Sequence, residues 1–362
     1  MATGWERHHR RAKYLRVRRA AREPHDWRDN PGVARRTDKP FALTADGVLL
    51  RGEEVDGRIR VTSVVVATGA RRTITLPAEI ERVESALANG TQLLAFGAET
   101  QQPPLQNRFS VNQRMRPAFL VDRMTGTTRR IADTVFWGCC PRNWGSNESA
   151  VGFAEQRNGV VNINVFDAAG NTRMLFSFPT SMFGRLRDIS VHRERIAFVD
   201  SVGPGSASVF VAEGAGPARA VFTFSHEGDP ALAWSPDGRK LAIAYGDAAD
   251  GGRAMVRVLD VSADGTVSTT GRSLDLGGTT SYVETLLWLP DQSALIVNRD
   301  EAGNGLSGLV LRPLDASQPS VRVGGATTGQ FFLEPSGRTL LSISSAPGGA
   351  AIWTVPFTPI PR

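Results

Sequence analysis

Lysine is nearly missing from this chain. Of its 42 basic residues only Lys13, Lys39 and Lys240 are lysine and the rest are arginine, a bias that fits a GC-rich coding sequence better than selection for phosphate contacts. Cysteine is equally scarce, with Cys139 and Cys140 side by side. Adjacent cysteines close no ordinary loop and no CxxC pair exists for zinc or redox chemistry. That leaves two reduced thiols acting as small hydrophobes, or a strained vicinal disulfide. Stability must then come from packing. Only five histidines are present, and three of them (His8, His9, His25) precede residue 40. His192 and His226 alone do not make a multi-histidine metal centre. No run approaches the ~18 apolar residues of a membrane-spanning helix. Met1 to Arg22 carries arginine where a secretory signal would carry an apolar segment. As written the chain reads as cytoplasmic, or as periplasmic if its true start lies elsewhere.

The formal charge of +6 is unevenly distributed. Residues 1–40 hold twelve Lys/Arg against five Asp/Glu, while the other 322 hold thirty against thirty-one. The body is close to neutral, so no specific nucleic-acid binding is expected from it. The basic leader reads as a tail, as a weak helix for an anionic surface, or as an over-extended gene start.

What the chain has in quantity is glycine (37) and proline (21), with hardly any helical periodicity after residue 40. Within that background one phrase recurs. Trp234-Ser-Pro-Asp-Gly-Arg-Lys-Leu-Ala-Ile243 is an apolar strand end, a tight polar turn and an alternating apolar strand. Trp288–Val297 and Leu333–Ser342 repeat it in register, and Trp144–Phe153 aligns with it without a gap. Val191–Val199 has a shorter turn, Leu87–Phe96 turns on Asn-Gly and Thr44–Leu50 on Asp-Gly. The residues opening each second strand are Leu49, Leu93, Val151, Ile196, Leu241, Leu295 and Leu340, spaced by 44, 58, 45, 45, 54 and 45 residues. A strand-turn-strand unit at roughly 40–50 residues predicts an all-β, seven-bladed β-propeller. The two long spacings are assigned to insertions, one polar (Gln101–Arg116) and one rich in Gly and Asp (Asp247–Arg253 with Ser262–Thr270). Three prolines after Val355 stop the last blade after its third strand, so a segment at Gly32–Thr37 is expected to close the ring. The domain boundaries are then a basic segment at 1–30, the propeller at 31–357 and a tail at 358–362.

The Trp234–Ile243 phrase resembles the WD-repeat-like units of TolB-type propellers, which recur in the propeller domains of prolyl-oligopeptidase-like peptidases. The resemblance is sharpest at 228–246, fair at 283–298 and 329–344, and rests on spacing before residue 100. It implies a scaffold whose first strands line a channel. It also implies that the Ser-Pro-Asp-Gly turns lie on the face away from ligand, with Trp144, Trp234 and Trp288 filling space between blades. TolB-type proteins typically work in the periplasm by binding other proteins, and the departure here is the missing signal.

No catalytic constellation emerges. Gly305-Leu-Ser-Gly-Leu309 lacks the last glycine of a nucleophile elbow, and the blades leave no room for a hydrolase domain. Asp247 with Asp250 is the nearest thing to a cation site and reads more simply as solvated loop acids. No cofactor and no metal are expected, and the chain leans away from being an enzyme. The segment Phe136–Trp144 joins one blade to the next at the expected ligand face. Its Trp137 and Arg142 are candidate ligand contacts, together with Asp188, Asp229, Glu284 and Gln330 from the same mouth and Arg82 near them; Trp137 and Trp144 packing between blades, with Arg142 paired to Asp188, is the plainer alternative. The reading is a monomeric, non-catalytic scaffold binding a protein, peptide or glycan at its channel face. The alternatives are a propeller module of a larger or truncated enzyme, or a lyase or hydrolase using channel carboxylates.

Overall fold

The computed structural model describes residues 39–44, 46–87, 90–98, 114–137, 144–146, 150–157, 160–167, 171–179, 186–193, 195–203, 205–213, 217–280, 282–301, 306–322, 330–333, 339–346 and 349–356. Across these residues the chain is a series of antiparallel meanders, each built from strands consecutive in sequence. The first is β1 (Lys39–Leu43), β2 (Val48–Val55), β3 (Arg58–Val65) and β4 (Arg71–Thr75). The second is β5 (Ile80–Ala86), β6 (Gln92–Gly97), β7 (Arg114–Asp122) and β8 (Thr128–Trp137). The third is β9 (Trp144–Ser146), β10 (Ala150–Arg157), β11 (Val160–Asp167) and β12 (Thr172–Pro179). The fourth is β13 (Leu186–His192), β14 (Arg195–Gly203), β15 (Ser206–Glu213) and β16 (Arg219–Ser225). The fifth is β17 (Glu227–Trp234), β18 (Lys240–Asp247), β19 (Arg253–Asp260) and β20 (Arg272–Thr279). The sixth is β21 (Val283–Trp288), β22 (Ala294–Glu301), β23 (Leu306–Pro313) and β24 (Val321–Arg322). The last has β25 (Gln330–Leu333), β26 (Thr339–Ala346) and β27 (Gly349–Pro356). The helical element among the described residues is a single 3-10 turn, Ala248–Asp250. This is a β-propeller.

Each residue read from the sequence as opening a second strand is the second residue of its strand, from Leu49 in β2 to Leu340 in β26. β6 and β18 are apolar almost throughout because sheets cover both of their faces, while β2 and β22 turn polar in their second halves. In β18 six consecutive residues, Leu241 to Gly246, are buried, whereas the third strand β19 alternates and the outer strand β20 is largely exposed. Burial therefore falls from second to fourth strand, and the sequence changes from a continuous apolar run to alternation and then to polar residues. The core is a set of layers between neighbouring meanders. Leu50 and Val61 of the first pack on Ile80 and Leu93 of the second, and Phe96 and Leu120 of the second on Phe153 and Phe166 of the third. The same happens for Ile163 with Phe198, Phe224 with Tyr245 and Val256 with Val297. Burial of each such side chain contributes roughly 1.5–3 kcal/mol.

Two sequence expectations change in detail. The polar insertion after Gln101 ends earlier than expected, because Arg114 to Arg116 already belong to β7 and pair with β8. Arg116 can enter a strand because it is buried with its charge met, its Nη1 donating to Glu81 (2.8 Å) and to the Gly97 carbonyl (2.7 Å). Second, the Gly- and Asp-rich insertion is shorter than Asp247–Arg253, because Asp247 ends β18 and Arg253 opens β19 with the 3-10 turn between them. The expected closing segment at 32–37 and the basic segment at 1–30 lie outside the described residues. β1 nevertheless lies against β25, the first strand of the last meander.

Candidate binding face

First strands of several neighbouring meanders lie against one another: β1 with β5, β9 with β13, β13 with β17, and β17 with β21. Asp229 of β17 forms a parallel bridge with Tyr282 at the entrance to β21. The Trp234 indole donates to the Ser190 carbonyl of β13 (3.3 Å), and the Trp288 indole to the Ala233 carbonyl (3.0 Å). The tryptophans that open the repeated phrase therefore pin one meander to the previous one, as the resemblance implied for Trp234 and Trp288; the side chain of Trp144 lies outside the described residues. The parallel Asp229–Tyr282 bridge sets the fifth and sixth meanders in the same direction, and the two ends of the meanders differ chemically.

At one end sit the turns between first and second strands, and they repeat. In the fifth meander Ser235 N–H donates to Lys240 O (2.9 Å) and Gly238 N–H to Ser235 O (2.8 Å). The sixth uses Leu289 to Ala294 and Gln292 to Leu289, the second Leu87 to Gln92 and Gly90 to Leu87, and the first Thr44 to Val48 and Gly47 to Thr44. An acidic side chain closes three of these turns. Asp237 accepts from the Ser235 hydroxyl (2.7 Å) and Arg239 N–H (3.0 Å), and Asp291 from Ser293. Asp46 accepts from the Thr44 hydroxyl and from Arg123. Burial works against the Asp237 carboxylate, but these donors, the Gln292 amide and Lys240 outweigh it and bring its pKa down to about 2. Neighbouring meanders also hold these turns, Arg195 Nη1 donating to the Gly238 carbonyl (3.2 Å) and Arg123 to Asp46 (2.9 Å).

The opposite end, where first strands begin, repeats a backbone irregularity but not the residues that occupy it. Five first strands carry an irregularity close to their entrance: between Pro40 and Ala42, Ile80 and Arg82, Leu186 and Asp188, Glu227 and Ala231, and Val283 and Thr285. A bulge inserts residues without partners and re-aims the chain, and the residues inserted here are Phe41, Glu81, Arg187, Gly228 to Pro230, and Glu284. Two of the sequence candidates, Asp229 and Glu284, are among them. Arg82 and Asp188 are each one residue past the bulge, and Glu81 and Arg187 were missed. Arg82 is exposed and pairs with Glu84. Asp188 is 3% exposed and its Oδ2 accepts the Leu232 N–H (2.7 Å), joining the fourth meander to the fifth. Gln330 is the first residue of β25 and Trp137 the last of β8; Arg142 lies outside the described residues.

The junction of the second and third meanders departs furthest from the pattern. β9 is only three residues long and pairs with Val151 to Phe153. Closer to the mouth, Glu155 of β10 pairs instead with Val135 of β8, the outer strand of the previous meander. The Glu155 carboxylate accepts from Asp133 N–H and from the Asn164 amide, both at 3.3 Å. The two meanders are thus fused into one eight-stranded sheet, two residues from Trp137.

At the fifth meander the mouth is a tightly bonded rim. His226 donates Nδ1–H to the Gly228 carbonyl (2.7 Å), which fixes its tautomer. Asp247 accepts from the Ser225 hydroxyl (2.7 Å) and from Ala249 N–H, capping the 3-10 turn. Arg253 bridges Asp250 (3.2 Å) and Asp275 (2.6 Å), and with that guanidinium as the main cause the Asp275 carboxyl is held below the ordinary aspartate range. The acids read from the sequence as loop residues are therefore cap and ion-pair partners. Among the described residues no three His, Cys, Asp or Glu side chains converge to hold a metal ion. His192 is at the other end, between the Trp234 ring and Gly238. No helix among the described residues is long and apolar enough to cross a membrane.

No family model matches the chain, and no curated protein matches it. Solved structures do. The chain resembles an oligogalacturonate lyase in complex with manganese, with a TM-score of 0.61 and 13% identity over 89% of this chain and 90% of that one. It is also similar to the β-propeller domain of the trilobed protease from Pyrococcus furiosus, with a TM-score of 0.56 and 11% identity over 88% and 95% of the two chains. A prolyl endopeptidase matches with a TM-score of 0.53 and 10% identity over 87% of this chain but 49% of its own. At these identities the likeness is one of fold.

Proposed function

We propose that this chain is a non-catalytic, seven-bladed scaffold, monomeric and closed by residues 32–37, which binds a protein, peptide or glycan at its channel mouth. The supporting observation is the contrast between its two ends. Turns under the same steric demand return similar residues, Thr44-Ala-Asp-Gly47 and Ser235-Pro-Asp-Gly238, with Leu87-Ala-Asn-Gly90 and Leu289-Pro-Asp-Gln292 close to them. A surface that recognises one asymmetric ligand needs a different group from each blade, and the mouth has that character: Glu81, Asp229 bridged to Tyr282, the Arg253 ion pairs, and the fused second and third meanders beside Trp137. The ligand contacts in this reading are Trp137, Arg142, Asp229, Glu284 and Gln330, with Asp188 behind them holding the seam.

The test is to pan a random peptide display library and a glycan array against the full chain, then to repeat both with Trp137→Ala, Arg142→Ala and Glu284→Ala and with the turn-end control Arg239→Ala. Binders lost in the mouth variants and kept in the control support the reading. Binders lost only in Arg239→Ala, or none on either array, overturn it.

One observation favours a second reading. The match to the prolyl endopeptidase spans about half of that chain, as it would for a propeller module of a larger enzyme. Genomic sequence flanking the gene discriminates: a frame continuing into a Gly-x-Ser-x-Gly elbow supports the module, and stops on both sides remove it. The lyase likeness is tested by incubating the protein with oligogalacturonate and Mn2+ and following the ultraviolet absorbance of an unsaturated product.

A further inference from the structure

The mouth rim of the fifth meander is shaped by a residue of the sixth. Between Arg253 paired with Thr279 and Met255 paired with Asp275, three residues of β20 (Leu276, Gly277, Gly278) stand opposite Ala254 alone. Both glycines are in the left-handed region, with φ of +75° and +68°, a conformation that other residues enter only under strain. A two-glycine bulge at the end of an exposed outer strand has little to hold it locally, since glycine brings no side chain and loses the most freedom on ordering.

The restraint comes from β22. Arg299 pairs in register with Val283 and Gly308 and is 5% exposed. Its Nη1 donates to the Thr279 carbonyl (3.1 Å) and its Nη2 to the Gly277 carbonyl. The fork of a guanidinium suits two carbonyls separated by one residue, whereas an ammonium is a single point donor. The bulge in turn is bonded into the rest of the rim. Gly277 N–H donates to Asp275 (2.7 Å), Asp275 takes Arg253, and Thr280 N–H donates to Gly252 of the 247–252 loop (2.8 Å). Over this surface there is open space: a side chain at Gly251 or Gly277 would meet nothing within 4 Å.

We infer that Arg299 is the positioning residue of the binding face, an inter-blade latch that sets the 275–280 and 247–253 rim of the fifth blade from the sixth. This rests on the mouth being the binding face. A ligand spanning the two blades would then bind and close the latch reciprocally, since coupling between two sites works in both directions. The rim is a local unit whose opening can be seen without any ligand.

The test is hydrogen exchange, followed by mass spectrometry, on the full chain with Arg299→Lys and Arg299→Met. The expected result is exchange at 275–280 faster by roughly tenfold or more in Arg299→Met and by less in Arg299→Lys, with 234–241 at the turn end unchanged. Unchanged rim protection in both variants overturns the inference, as does acceleration of every segment together, which would make Arg299 a general core residue. If Arg299→Met does not fold, Arg299→Lys decides by the same criteria. Because the readout needs no ligand, failure of the panning experiment and failure of the latch are separate results.

Discussion

Gly238 offers a sharp test of how the turn end works. Its φ is +69°, and a Cβ there would overlap the imidazole of His192, which packs near the Trp234 ring at 6.3 Å between centroids. Gly47 occupies the same place in the first meander with φ +73°, and a Cβ there meets nothing within 4 Å. Alanine at either position bears the left-handed strain, about 1–2 kcal/mol. It recovers roughly 0.5–1 kcal/mol because the unfolded chain has less freedom to lose. Gly47→Ala should therefore reduce stability by about 0.5–1 kcal/mol. Gly238→Ala adds the displacement of His192, an overpacking term of about 1–3 kcal/mol, for a total of about 1.5–4 kcal/mol. The assay is urea unfolding at neutral pH followed by tryptophan fluorescence, with m-values compared to check that the transition is unchanged in kind. Adding His192→Ala to Gly238→Ala should bring the loss below the sum of the single changes by about 1–3 kcal/mol, the coupling expected of groups in contact. Equal losses for the two alanine variants, or a coupling near zero, would refute the clash and with it the view that the turn is held by the previous blade.

Other outcomes follow from the same geometry. Gln292 holds the left-handed position that glycine holds in three other turns, with φ +58°, so in Gln292→Gly relief of about 1–2 kcal/mol of strain is set against the entropy of glycine and the lost donor to Asp237, and the urea midpoint should show a net change within about 1 kcal/mol of zero. The same change should raise the Asp237 pKa, measurable by NMR titration, because the Gln292 amide is one of its donors. Asp237 and Asp264 are both lowered to about 2 and Asp46 is lowered by Arg123. Between pH about 4 and 2 the unfolded chain then binds more protons than the folded one, so their contribution is whole above the ordinary aspartate value near 3.9 and is lost as pH falls through 2. Asp237→Asn should flatten that part of the stability–pH curve, and an unchanged slope would count against the turn donors. Asp188→Ala should lower stability by about 1–3 kcal/mol by leaving the buried Leu232 N–H without its acceptor. An unchanged urea midpoint would show that the seam does not need it.

How much of this was legible in the sequence follows from where each constraint originates. The second strands could be located to within one residue because their opening halves call for apolar side chains, a local demand that recurs at blade spacing. The turns were equally readable, since Asp237 and Gly238 satisfy requirements set within five residues of chain. The mouth is different because its constraints come from elsewhere. Arg116 reads as part of a polar insertion until Glu81, 35 positions earlier, is brought beside it. Asp188 reads as a free acid at a channel entrance, yet its carboxylate is met by a backbone amide 44 residues away. The bulges at Glu81 and Arg187, one residue before Arg82 and Asp188, are matters of strand register, and a one-residue slip of register moves every side chain of a strand to its other face. Periodicity therefore carries the scaffold and is silent about the face. The positions it leaves unexplained, Trp137 at the fused junction and Arg299 behind the glycine bulge, are those where one meander is bonded to another, and the proposed recognition of an asymmetric ligand would draw on departures of that kind.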